Sequence, residues 1–154
     1  MYAAVLLLHS LLRWVVLALG AAALVRAIRG RLRGAPWTAA DTGISVGWVA
    51  ALDLQLLVGL VLLFFGPVTV LGLHEPDLMF RSRILRFFTL EHPLAMIVAI
   101  AVAHVGRVRV RRSLTDAARH RQSVVFVGVA LLVILASIPW PFLPYGRSLL
   151  PWPR

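Results

Sequence analysis

Seven polar side chains stand inside runs of apolar residues in this sequence: His9, Arg13, Asp53, Gln55, Glu91, His92 and His104. Such groups are costly in an apolar setting and usually serve a purpose there. An imidazole in that position can ligate a metal, relay a proton or bond across helices, and a carboxylate can orient an imidazole or neutralise a guanidinium. The adjacent pair Glu91 and His92, in "RFFTLEHPLAMIVAIAVAHVGR", is the most conspicuous. Other chemistry is absent: there is no Cys for disulfides, thiolate-bound metals or covalent haem attachment, and no GxSxG, HExxH, P-loop or dinucleotide-binding fingerprint. His74 beside Glu75 is two potential ligands, too few for a metal site.

The elements that carry these groups follow from composition. Of 154 residues 60% are hydrophobic, more than a soluble domain of this length can hide. Four apolar runs, at residues 3–25, 43–65, 84–105 and 123–138, are each long enough or nearly long enough to span ~30 Å of hydrocarbon. The expected fold is all-α: one polytopic domain over residues 1–154, an antiparallel four-transmembrane-helix bundle. Its helices are expected at about 3–28, 40–65, 84–106 and 116–138. Thr38 or Asp41 is positioned to cap the second helix, and Ser113 or Thr115 the fourth. Gly43 and Gly47, at GxxxG spacing, read as ordinary helix packing. A loop occupies residues 66–83, and residues 139–154 form a tail whose five prolines exclude helix and whose Trp140, Phe142, Tyr145 and Trp152 suit a membrane–water interface.

A net charge of +10 would suggest nucleic acid in a soluble protein, but here the placement of charge is the better guide. All 16 basic residues are Arg. Ten of them, from Arg26 to Arg33 and from Arg107 to Arg121, fall in the two connections at one end of the bundle. The positive-inside rule puts that end in the cytoplasm and both termini outside, in a bacterial inner membrane, with anionic lipid headgroups at the arginine clusters and no nucleic acid as partner. The first apolar run has no basic segment before it and is too long for a signal peptide, so an uncleaved helix is expected.

Depth then relates the polar groups. His9 lies six residues past Ala3 and His92 eight past Ile84, which places both ~9–12 Å below the outer ends of their helices. Imidazoles from two helices at one level are the arrangement that holds a b-type haem, one on each face of the iron. Small residues on the same faces, Ala95, Ala99 and Ala103 after His92 and Gly20 after His9, would leave a slot for the ring or serve plain packing. Arg13 and Asp53 fall near one depth and are expected to pair; a haem propionate is the other partner Arg13 would suit. Glu91 is expected to accept a bond from a ligand imidazole or from Arg86. His104, ~18 Å deeper than His92, reads as an interfacial snorkeller, with His120 in the basic loop.

The segments "LHSLLRW", "LQLLVGL", "RFFTLEHPLAM", "AHVGR" and "SIPWPF" followed by "GR" resemble, in order and over most of the chain, small bacterial four-helix membrane proteins labelled cytochrome b or left uncharacterised. The architecture is loosely similar to cytochrome b561-type bundles, which carry b haems between helices and exchange electrons with quinones. Those bundles typically hold two haems on histidines of helices one, two and four, whereas helices two and four here have no membrane-depth His; Asp53 stands where the smaller group can have one.

The expected function is therefore one-electron transfer by a membrane-bound b-type cytochrome. A single haem b would be ligated by His9 and His92 and contacted by Arg13, with Asp53, Glu91 and Gln55 as a supporting buried network. Quinol or a larger membrane redox complex would be its partner, as an electron carrier or redox subunit more than a stand-alone enzyme. The alternative is a haem-free protein in which the Arg13, Asp53, Glu91 and histidine cluster relays protons or ions or holds the bundle together, or a small accessory subunit.

Overall fold

The computed structural model describes residues 1–148, and these are helical throughout apart from short connections and the turns of the tail. Pro151, Trp152, Pro153 and Arg154 of the expected tail lie outside the described residues. The elements are α1 (Tyr2–Arg33), α2 (Ala39–Phe65), α3 (Pro67–His74), α4 (Pro76–Arg81), α5 (Arg83–Arg86), a π-helical turn (Phe87–Glu91), α6 (His92–Arg112) and α7 (Asp116–Ala136). Four spans, Tyr2–Arg33, Ala39–Phe65, Arg83–Arg112 and Asp116–Ala136, are long and apolar enough to cross a membrane, the mark of a multi-pass membrane protein. The segment expected as an open loop, 66–83, instead forms α3 and α4, because Pro67 and Pro76 each pre-set a first helical turn.

The helix ends follow local rules. α1 runs past Gly30 and stops at Gly34, whose φ of 61° is the left-handed conformation that suits glycine. Thr38 and Asp41 form a reciprocal capping box at the start of α2. Asp41 also accepts from Arg26 Nε at 2.8 Å, which ties α1 to α2 at the arginine-rich end. Thr115 caps α7 by accepting from the backbone N–H of Ala118.

The long helices touch in a closed ring: α1 on α2, α2 on α6, α6 on α7 and α7 on α1. Large apolar side chains such as Leu57, Phe65, Leu94 and Leu132 point outward, so contact between helices rests on shape more than on exclusion of water. Small residues make that contact close. Gly20 lies under Trp48 and Leu131, Gly106 under Phe126, and Gly30 under the ring of His120; a Cβ at any of the three would collide with its neighbour. Ala99, Ala103 and Ala130 are buried in the same core with Val127 and Ile134. Ala99, Ala103 and Gly20 thus serve packing; none of them opens a cofactor slot. Gly43 and Gly47 do the reverse of what their spacing implies, with nothing within 4 Å of a Cβ added at either.

Candidate functional site

The end of the bundle that carries the chain's first residue and tail residues 139–148 is hollow. A cavity of about 510 Å³ lies among α1, α2, α6 and α7, a size typical of small-molecule and cofactor sites. Its apolar wall includes Leu52, Leu56, Met96, Ile100 and Ile134, and its polar lining includes His9, Arg13, Gln55, His92 and Arg147.

His92 owes its position to the residue that follows it. Pro93 has no N–H to give the carbonyl one turn back and its ring crowds that carbonyl. The preceding turn widens to a π turn in which the N–H of His92 bonds to Phe87 O. His92 then directs Nδ1 to Ser137 O at 2.8 Å, across to the end of α7. A bond of this kind fixes the ring and leaves Nε2 for a ligand, as second-contact carbonyls do for metal-bound histidines.

His9 comes in from α1. The carbonyl of His9 accepts from Gln55 Nε2 at 2.9 Å, a cross-helix bond that sets α1 against α2 at this level. Gly59 faces its ring: a Cβ there would stand 3.2 Å from His9 Cε1, so glycine makes room for the imidazole. The rings of His9 and His92 meet with centroids 6.3 Å apart and planes at 74°. Two imidazoles sharing one metal, at ~2 Å per metal–nitrogen bond and ~1.1 Å from nitrogen to ring centre, stand ~6 Å apart. Each ring turns freely about its own metal–nitrogen bond, so crossed planes suit such a pair. Among the described residues no group of three or more metal-ligating side chains forms, so a metal bound by the chain alone lacks ligands here. A haem differs in supplying four ligands of its own and needing only the axial two.

Tail residues 139–148 roof the cavity. Tyr145 stacks on Phe87 at 3.8 Å, Arg147 lies over the ring of Phe88 at 4.0 Å, and Trp140 Nε1 donates to Leu135 O. Pro139, Arg147 and Ser148 line the cavity from this side, and Arg13 lines it from α1. The residues present fit a haem: two imidazoles from different helices, an apolar wall, and two guanidinium groups suited to propionate carboxylates.

Two expected contacts do not form. Asp53 does not pair with Arg13; its Oδ1 lies 2.8 Å from His104 Nε2. The reason is rotation. Gln55 faces α1, and Asp53, two residues earlier, points ~200° away around the helix toward α6. His104 is consequently a hydrogen-bonded partner of Asp53 and no snorkeller. Glu91 bonds to Arg86 Nε at 2.6 Å, the second of its two expected partners, while Arg86 Nη1 donates to Phe80 O. The side chains of Asp53 and Glu91 are 47% and 44% exposed, so of the expected buried network only Gln55 adjoins the two histidines.

His120 and Arg147 carry more weight than their sequence settings imply. His120 is in α7, not a loop; it is buried against Gly30 and Trp37, with Nε2 3.2 Å from Ala35 O. Its sequence signal was helical spacing with Ser123 and Val127, which share its buried face. No family model, curated protein or solved structure matches this chain.

Proposed function

We propose that this protein is a multi-pass membrane b-type cytochrome that holds one haem b between His9 and His92 and transfers single electrons. The observation that carries the reading is the imidazole pair itself: ring centres 6.3 Å apart beside a cavity of about 510 Å³, with His92 Nδ1 already engaged by Ser137 O. When bound, haem supplies a one-electron iron couple that no side chain of this sequence offers.

The residues of the chain do the rest. His9 and His92 would hold the iron, and the bond to Ser137 O fixes the orientation of the His92 ring and would raise its basicity as a ligand. Gln55 holds the α1 backbone at His9, and Gly59 leaves that ring its space. Arg13 and Arg147 are the groups that would receive the propionates. Leu52, Leu56, Met96 and Ile100 keep water from the ring faces. Electron exchange with quinol or with a neighbouring redox subunit, and a bacterial inner membrane with both termini outside, complete the proposal. The haem-free relay finds less support, because Asp53 bonds His104 and Glu91 bonds Arg86, so the two carboxylates are spoken for away from the imidazole pair.

The test is a pyridine haemochrome assay on protein purified with haem supplied during expression. One b-type haem per chain is expected, lost in His9→Ala and in His92→Ala and kept in His104→Ala. Protein that is helical, monodisperse and free of b-type absorption would reject the reading and leave a haem-free bundle.

A further inference from the structure

The cavity leaves one polar pair of the bundle without a role. Asp53 and His104 bridge α2 and α6, Oδ1 to Nε2 at 2.8 Å, with side chains 47% and 49% exposed. Asp53 stands twelve residues from Asp41 and twelve from Phe65, so it lies ~18 Å from either end of the apolar stretch of α2. Its outward neighbours are apolar: Val46, Ala50 and Leu57 on α2, with Ile97, Ala101 and Val108 on the His104 side of α6. Half of an acid and half of an imidazole therefore look out of the bundle where hydrocarbon offers neither donor nor acceptor.

The hydrogen-bond inventory says what would cover them. The bond between the two residues uses one carboxylate oxygen and one ring nitrogen. Asp53 Oδ2 and His104 Nδ1 make no bond with a described residue. With the proton of the Asp53–His104 bond carried by Asp53 Oδ1 and a second proton on Nδ1, the patch carries one acceptor, Oδ2, and one donor, Nδ1–H, side by side, a set that complements itself. A two-fold axis along the membrane normal keeps every residue at its own depth and sets one copy's donor against the other's acceptor.

We propose that the α2–α6 face centred on Asp53 and His104 is the interface between two copies of this chain. His104 Nδ1 of each copy donates to Asp53 Oδ2 of the other, closing a four-residue ring shielded from lipid by Leu57, Ala101 and their counterparts. The interface lies on the outside of the bundle and does not depend on the haem reading; a haem-free chain would pair in the same way.

The lack of cysteine in the sequence makes the test clean. Single cysteines are placed in the full chain at Leu57, on the proposed face, and at Leu132, which is 68% exposed on α7 across the bundle. Oxidative cross-linking in bilayers should give Leu57→Cys a band at twice 17.0 kDa and leave Leu132→Cys at 17.0 kDa. Removing both polar groups together, Asp53→Leu with His104→Leu, should weaken self-association about ten-fold, measured as dimer fraction against protein-to-lipid ratio. Should that double variant fail to fold, the cysteine pair still decides, since it leaves the ring intact. The proposal is overturned by a monomeric wild type, by equal cross-linking at both positions, or by capture of a different protein at Leu57→Cys.

Discussion

The two halves of the bundle each set a histidine ring against a glycine of a neighbouring helix, and they do so in opposite ways. At the arginine-rich end Gly30 admits the whole ring of His120, which is 1% exposed, and Gly20 receives Trp48, also 1% exposed; the vacancies at these two glycines are filled. At the other end Gly59 stands back from His9, and beyond it lies the cavity that His9 and His92 share. One residue type is a space-filler in the first half and a candidate ligand in the second. What separates them is whether something else in the chain occupies the space that glycine leaves. In a bundle held by close contact, a hollow costs dispersion energy, so a half built around one has reason to hold something.

That contrast can be broken or sharpened by substitution. The largest effect is expected from Trp48→Ala, which empties the packed half: about 4 kcal/mol of stability lost, read from thermal or denaturant unfolding in detergent. Gly30→Val comes next, at about 3 kcal/mol, because the new side chain and the His120 ring compete for the same space and the backbone must move. Removing the cap hydroxyl with Thr38→Ala should cost about 1 kcal/mol and raise exchange at the first amides of α2. The smallest stability change is expected for Gly59→Val, below about 1 kcal/mol, since its nearest neighbour is 3.2 Å away and the cavity takes the rest. That same variant should lose bound haem. If Gly59→Val were as damaging as Gly30→Val, the two halves would be packed alike and the cavity would carry no meaning.

Much of this was legible from one sequence. Periodicity and hydropathy located four spans within a few residues, and Thr38, Asp41 and Thr115 marked two helix starts. Counting residues from helix ends was enough to bring His9 and His92 to one level, because depth along parallel helices is linear in sequence. The same counting failed for Asp53, since rotation about the axis, not depth, decided that Gln55 faces α1 and Asp53 faces α6. The π turn escaped notice, although Pro93 within an otherwise helical run was its signal. His120 was hidden by its charged neighbours in "ARHRQS", where a buried ring on one face of a helix reads like a basic loop. The position of Arg147 at the cavity could not be read at all, for it depends on how the tail folds back over Phe87 and Phe88.

The central proposal is that His9 and His92 together would hold one haem iron. Electron paramagnetic resonance of the purified ferric protein tests it most directly. Rings crossed at 74° should give a six-coordinate low-spin signal with the wide anisotropy of near-perpendicular imidazoles, absent from His9→Ala and from His92→Ala because these variants lose the haem. A high-spin signal from the wild-type protein, or no haem signal at all from folded protein, would contradict it.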